Sequence, residues 1–564
     1  EEFRKGLVDF GSKHISGDWF IKFFAQDLTD IHLHSDLNSE IEANGDMNYV
    51  RIFAIVAVII LLIACVNYMN LATARSSKRS KEVGVRKAIG GQRQQIFTQF
   101  LGESTLIVLV SFLLALVIAS LSLPLFNGIS GKNITPTGAE SFVLSGLFFG
   151  IALLVGLVSG SYPALYLSSF KPVKVLKEGV AKISGGALFV RKGLVTLQFT
   201  ISIMLIVGTL VVIKQLHYLR SKKLGANTEQ VLIFPAQTNN IRSHFDSFRT
   251  EMMRDPSITG VTTSDRRMGR DINHGEFMSI ENEDQTLSKG RISTVIVGWD
   301  FFDLYDIEMV SGRAFSRQFA TDTSRNAAIL NEAAAEVLGL DPNHCIGIRF
   351  KVGRDTGTIV GIMRDFHFES LYNAIKPMMF FVDPADIGYV SVKLSGEDLQ
   401  ATLAHIKTAW SQFEPKRIFY FYFLDEELFA LYMAEERFLT VFTVFSLLAI
   451  FTGCLGIFGL ASFTALQRSK EIGIRKVLGA SVANVVVLLA KEMTLLVLLA
   501  FVIAIPLSFQ VMNDWLQNFA YRTSFGLTIF LVSGIAALFI AWFTVSFQSI
   551  KAAVANPADS LKYE

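Results

Sequence analysis

Residues 81–90 read Lys-Glu-Val-Gly-Val-Arg-Lys-Ala-Ile-Gly, and residues 470–479 read Lys-Glu-Ile-Gly-Ile-Arg-Lys-Val-Leu-Gly. Wherever the two differ, one aliphatic residue replaces another. Each copy follows one long apolar segment and precedes another, so the chain is built from two similar halves. Glu82 and Arg86 are spaced i,i+4, as are Glu471 and Arg475, with the glutamate N-terminal in each. That order is the favourable one for an ion pair on one helix face. Val85 with Ile89, and Ile474 with Leu478, form apolar pairs at the same spacing. Gly90 and Gly479 stand where a helix C-cap belongs. The spacing predicts a short amphipathic helix in each copy, charged on one side and aliphatic on the other. Gly84 and Gly473 lie inside it, at a cost of up to about 1 kcal/mol each in helix propensity, which implies close approach of another backbone. A lipid anchor needs only Lys and Arg. A fixed Glu, two glycines and aliphatics at matched positions point to protein docking.

Around these copies the chain is apolar. Its 564 residues are 51% hydrophobic and carry a net charge of +2, and the mean hydropathy is +0.42. That composition indicates a multi-span membrane protein and gives no sign of a nucleic-acid partner. Seven windows lack Asp, Glu, Lys and Arg: 52–74, 104–131, 141–170, 193–213, 438–467, 493–513 and 523–550. Each is long enough to cross a hydrocarbon core of about 30 Å as a helix. Lys and Arg number seven in loop 75–103, six in 171–192 and five in 468–492, against one each in 132–140 and 514–522. The bias puts both copies of the repeat in the cytoplasm, and residues 1–48 and 216–432 outside. The chain opens at Glu1 without an initiator Met. Residues 22–28 (KFFAQDL) faintly echo 422–428 (YFLDEEL), each upstream of a span. Residues 1–48 therefore read as the tail of a first outer domain, and the intact chain is expected to have eight spans.

The outer segment 216–431 has mixed patterning. GTIVGIM (357–363) and YVSVKLS (389–395) alternate as strands do, while 331–339 and 397–413 read as helices. An α+β domain follows. The runs from Gly193 to about Leu224 and from Asp425 to Gln467 contain no Pro, so both flanking helices are expected to continue out of the membrane as a stalk.

A second repetition aligns the halves to their ends: Phe170-Lys171-Pro172-Val173-Lys174-Val175-Leu176-Lys177 follows the third span, and Ala555-Asn556-Pro557-Ala558-Asp559-Ser560-Leu561-Lys562 follows the last. The outer segment adds Phe301-Phe302, Ser311-Gly312-Arg313-Ala314-Phe315, Ile329-Leu330-Asn331-Glu332, and Gly361 with Asp365-Phe366-His367-Phe368. With these motifs the whole chain resembles the FtsX/MacB-type family of ABC transporter permeases, in the form with two modules in one chain. The resemblance implies an α-helical transmembrane bundle, seven spans here, with an α+β MacB-like periplasmic core domain. The expected division is the tail at 1–48, a first module at 49–192, an opening span at 193–215, the outer domain at 216–431 and a second module at 432–564. It also implies that Lys81, Glu82, Gly84, Arg86, Lys87 and Gly90, with Lys470, Glu471, Gly473, Arg475, Lys476 and Gly479, form coupling helices seated on an ABC ATPase dimer. ATP and Mg would be bound by that partner. A periplasmic adaptor or other periplasmic protein, and membrane lipid, complete the implied partners. The implied location is the bacterial inner membrane. The implied work is ATP-driven movement of the periplasmic domain for efflux or export, as of antimicrobial peptides or macrolides, or of a lipid-linked substrate. Some relatives instead signal to a periplasmic partner or sense an antimicrobial compound without transport.

No Gly-x-x-x-x-Gly-Lys-[Ser/Thr] loop occurs in this sequence, so its residues supply no Walker-type phosphate cradle. The charge-free spans argue against ion-coupled transport. Gly146/Gly150 and Gly156/Gly160 form two GxxxG patterns in one span, read as helix packing. No catalytic, cofactor or metal residues are expected; the few histidines lack ligand spacing.

Overall fold

The computed structural model describes residues 6, 7, 10, 25–35, 45, 47–135, 139–169, 185–222, 224–236, 238–270, 272, 275–281, 287–323, 325–353, 355–396, 398–430 and 432–554. The paired Pro–Leu–Lys segments at 170–177 and 555–562, and most of residues 1–48, lie outside these. Two compact units result, one of Glu1–Thr209, Phe438–Phe509 and Gly526–Glu564, the other of Leu210–Arg437 and Gln510–Phe525.

The first unit is helical. Its elements come from α1 (Met47–Ala88), α2 (Arg93–Ser130), α3 (Ala139–Ser168) and α4 (Gly185–Ser221) in one half. The other half supplies α9 (Met433–Gln467), α10 (Ser469–Val477), α11 (Val482–Leu516) and α12 (Leu527–Val554). Among the described residues, seven helices are long and apolar enough to span a membrane, one for each charge-free window. At 1.5 Å per residue the 37 residues of α4 extend about 55 Å, as expected of a helix that leaves the bilayer. The GxxxG patterns in α3 divide. A Cβ on Gly156 would lie 3.2 Å from the Thr105 backbone and one on Gly160 2.6 Å from Ser104 Cβ, whereas Gly146 and Gly150 have nothing within 4 Å. The inner pair packs α3 on α2; the outer pair does not.

Adding 389 to a residue number in α1 gives its equivalent in α9. Tyr49 stacks on its own equivalent, Phe438, with ring centroids 4.6 Å apart. Eighteen residues further on, Asn67 packs against its equivalent Gly456, where any Cβ would collide with the Asn67 amide. Asn67 Nδ2 donates to the Thr452 carbonyl oxygen at 2.5 Å. Two such contacts so far apart require α1 and α9 to run parallel. The repeated segments that follow them therefore emerge at the same end of the helix pair.

The second unit holds one mixed sheet of β1 (Val231–Pro235), β2 (Ile258–Ser264), β3 (Gly275–Glu281), β4 (Leu287–Val297), β5 (Met309–Gly312), β6 (Ala327–Asn331), β7 (Arg349–Val352), β8 (Asp355–Met363), β9 (Met378–Val382), β10 (Tyr389–Leu394) and β11 (Tyr422–Phe423). The pairings β4–β3–β7–β8–β6–β9–β4 close on themselves, so six strands form a ring, while β2, β10, β1 and β11 continue as an open limb. Among the helices of this unit are α5 (Phe245–Met252), α6 (Glu332–Val337), α7 (Leu399–Phe413) and α8 (Leu424–Ala430). Alternation sorts the strands between cores: Ile329 and Phe380 join one cluster with Phe301, Phe302, Phe366 and Phe368, while Leu330 and Phe381 join another with Ala334 and Ala335.

The outer motifs hold this ring. Gly312, at φ +73°, pairs with Gly361, and a Cβ on Gly312 would collide with the Val360 carbonyl. Arg313 pairs with the buried Asp322, whose carboxylate also accepts from Ser316 N at 3.0 Å. Asn331 caps α6 by accepting from Ala334 N at 3.0 Å, and also accepts from Met378 N at 2.8 Å. Glu332 accepts from Asp365 N at 2.9 Å while Asp365 accepts from Ala333 N at 3.1 Å, a reciprocal clasp between two motifs. One expectation is corrected here. The run Asp425–Gln467 is not one helix: α8 ends at Ala430 and α9 begins at Met433, with Tyr432 in a turn between them. The Tyr432 hydroxyl accepts from Leu371 N at 3.1 Å.

Candidate functional site

The first copy of the repeat is not a separate short helix. It is the last part of α1, which runs unbroken for 42 residues. The second copy is the nine-residue α10, set off from α9 by a turn at Arg468. Hydrogen bonds from Arg468 N to Thr464 O (3.0 Å) and from Ile472 N to Arg468 O (2.8 Å) bridge that turn.

Beyond this the copies agree. Glu82 and Arg86 form an ion pair of 2.8 Å, and so do Glu471 and Arg475, with all four side chains about half exposed. Arg86 also donates to Gln99 Oε1 at 2.9 Å. Val85 and Ile89 are 46% and 81% exposed, and Ile474 and Leu478 are 53% and 79% exposed. The charged pair and the aliphatic pair therefore share one open surface, rather than opposing each other as the sequence suggested. What faces inward is Val83 with Gly84, and Ile472 with Gly473, all buried. Val83 packs with Ile96, Phe100, Ala164 and Leu167, so a single buried aliphatic residue seats the helix and leaves the others free.

Gly90 (φ +105°) and Gly479 (φ +90°) are left-handed. Gly91 N donates to Arg86 O at 2.9 Å, and Ala480 N to Arg475 O at 2.9 Å, the six-to-one bond of a Schellman cap. A Cβ at Gly90 or Gly479 would meet nothing within 4 Å, so backbone conformation alone calls for glycine. Each following helix is then capped in turn. Gln92 N donates to Gln95 Oε1 at 3.2 Å, and Asn484 N to the equivalent Ser481 Oγ at 3.3 Å. Lys87 Nζ donates to the Ser168 carbonyl oxygen at 2.6 Å, at the C-terminal end of α3, where a cation offsets the helix dipole. Burial, and then Arg93, hold its pKa below the ordinary lysine value. Lys81, Lys470 and Lys476 lie on these helices, but their side chains are outside the described set.

A further pair was missed from the sequence. Arg79 and Glu103 form an ion pair at 2.6 Å, and their equivalents Arg468 and Glu492 form one at 3.3 Å. Both pairs have the same 24-residue spacing, so extending the repeat two residues upstream and 13 downstream would have found them. Glu492 also takes Lys192 of α4 at 2.8 Å.

In the second unit, the end of α4 is tied to the segment 515–524. Gln215, fully buried, accepts from Thr523 N at 2.8 Å and donates to Tyr521 O at 2.8 Å. Ala520 N donates to Tyr372 O at 3.2 Å. Leu219, Leu371, Tyr432 and Phe519 form a small core there. His367 meets the Tyr521 ring edge to face at 4.8 Å, and Lys222 Nζ lies 3.0 Å from the same ring centre.

The FtsX-like permease C-terminal domain model matches residues 54–172 and again 443–557. The MacB-like periplasmic core domain model matches 193–409 between them. The chain belongs to the FtsX/MacB-type family of ABC transporter permeases. Among relatives of this family, the macrolide export ATP-binding/permease protein MacB of Bdellovibrio bacteriovorus is 35% identical over 126 residues, 22% of this chain and 19% of that protein. The uncharacterized ABC transporter permease YknZ of Bacillus subtilis is 30% identical over 122 residues, 22% of this chain and 30% of that protein. The aligned part is thus less than a third of either relative's length. The periplasmic region of MacB from Actinobacillus actinomycetemcomitans aligns at 13% identity with a TM-score of 0.27, over 37% of this chain and 94% of that one.

Proposed function

We propose that this chain is the permease part of an ABC transporter in the bacterial inner membrane, and that segments 81–90 and 470–479 are its two docking points for an ATPase dimer. ATP and Mg belong to that partner, in a separate subunit or in another part of the same polypeptide. Closure of the dimer would draw the two helices together at the common end of α1 and α9. Helices α4 and α9 would carry the movement onward, since each contributes residues to both units. The moving outer domain would then drive efflux or export of a periplasmic or lipid-linked substrate. A macrolide is one candidate, from the name of the relatives.

One observation carries this reading. Two helices 389 residues apart in sequence present the same Glu–Arg pair beside the same exposed aliphatic pair, on the same cap. A surface needed only for folding has no reason to repeat its exposed half. Replacing Glu82 and Glu471, or Arg86 and Arg475, with Ala should lower transport and permease-stimulated ATP hydrolysis while membrane insertion is unchanged. Full transport in both double variants would sink the assignment.

A further inference from the structure

The outer unit contains a cavity of about 620 Å³ beside the first turn of α5, within the size range of about 300–1,000 Å³ for small-molecule sites. Asp246 and Arg317 face each other across its rim in a two-point ion pair, with N–O distances of 2.7 and 3.3 Å. Their side chains remain 72% and 52% exposed, so each keeps hydrogen-bonding capacity toward the cavity. Trp299 and Phe319 supply apolar wall, and Phe319 is 45% exposed. On the floor, Thr262 is 1% exposed and its Oγ1 has no hydrogen-bond partner. Gly298 brings its chain close above: its N donates to Thr263 O at 2.8 Å, and a Cβ on it would lie 2.9 Å from Thr262 Oγ1. A buried hydroxyl left unsatisfied under an open cavity requires an explanation.

Opposite charges held side by side discriminate among ligands. A lone anion drawn to Arg317 meets Asp246, and a lone cation drawn to Asp246 meets Arg317. A ligand that also carries adjacent opposite charges aligns against the pair and gains from both. We propose that this cleft binds a compact zwitterion with an apolar body: the charged groups engage Asp246 and Arg317, and the body lies on Trp299 and Phe319. The end of a hydrophobic amino acid and a phosphoethanolamine headgroup share that chemistry. The site is independent of the coupling role proposed above, because its occupancy can be read without any ATPase.

The test uses the purified full chain in an uncharged maltoside detergent. L-phenylalanine, dihexanoyl phosphatidylethanolamine and N-acetyl-L-phenylalaninamide are titrated by calorimetry and by tryptophan fluorescence. At least one zwitterion should bind saturably at millimolar concentration or below, and the blocked amide should not. Binding of the amino acid alone assigns the amino-acid source, and binding of the lipid alone assigns the headgroup. Arg317→Gln and Asp246→Asn should each weaken binding at least tenfold. The exchanged pair Arg317→Asp with Asp246→Arg should recover part of it, which a folding defect would not do. Failure of both zwitterions to saturate, equal binding of the blocked amide, or unchanged affinity in both single variants overturns the proposal.

Discussion

The two copies of the repeated segment share an outer face and differ in how they are attached. The first continues α1 without a break, while the second follows a turn at Arg468. Both keep the exposed ion pair, the exposed aliphatic pair and the left-handed glycine. What is constant is therefore the surface offered to solvent, and what varies is the join to the span. A structural anchor would be expected to show the reverse. Among the described ion pairs, Glu103 holds only Arg79, whereas Glu492 holds Arg468 and Lys192. The interrupted copy is thus the one braced twice.

Charging both tips tests the shared surface most severely. Ile89→Asp with Leu478→Asp should reduce stimulated ATP hydrolysis by more than tenfold, while each single change leaves a measurable fraction. Equal loss from one single change would make the copies unequal partners. Gly90→Ala and Gly479→Ala should each destabilise by about 1–2 kcal/mol, the usual penalty of a left-handed non-glycine residue. Matched falls in melting temperature check this; a loss at only one position would show that the caps are not equivalent. The attachments should separate next. Glu492→Gln should cost more than Glu103→Gln, by up to about 1 kcal/mol for a half-exposed pair, and Lys192→Met should remove the difference.

The remaining effect lies in the outer unit, away from the repeated segments. Burial, and then Lys222, lower the pKa of His367 to about 4 from 6.5. Below pH 6.5 the unfolded chain gains a proton that the folded ring accepts only near pH 4, so stability should fall as pH falls through that window. The difference in melting temperature between the parent chain and His367→Gln, followed from pH 7.5 to 4.5, should show this slope, since the opposing contribution of Asp265, whose pKa burial raises to about 6, is common to both.

Local chemistry made much of this legible in the sequence. Among the described residues, seven charge-free windows became seven helices and Gly90 and Gly479 became caps; the segments 357–363 and 389–395 became strands, but they are buried on both faces over much of their length instead of alternating in exposure. Long-range closure was not legible. The six-strand ring joins β4 to β9 across about 80 residues of intervening chain, and Gln215 clamps Tyr521 and Thr523 some 300 residues away. The turn at Tyr432 has no Pro or Gly to announce it, and its contact with Leu371 is made across 61 residues. Which helix faces are open was misjudged for a related reason. Periodicity places Val85 and Ile89 on one stripe but does not reveal that Val83 is the aliphatic residue that packs against the neighbouring helices.

Twin docking can be tested directly by placing a photo-crosslinking amino acid at Ile89 in one variant and at Leu478 in another, in cells making the full transporter. Both positions should crosslink to the same region of an ABC ATPase, a segment bearing a Walker phosphate loop nearby, and each should lose that product when its neighbouring Glu is changed to Arg. Crosslinks to lipid alone from both positions, or to an ATPase from one and an unrelated protein from the other, would contradict it.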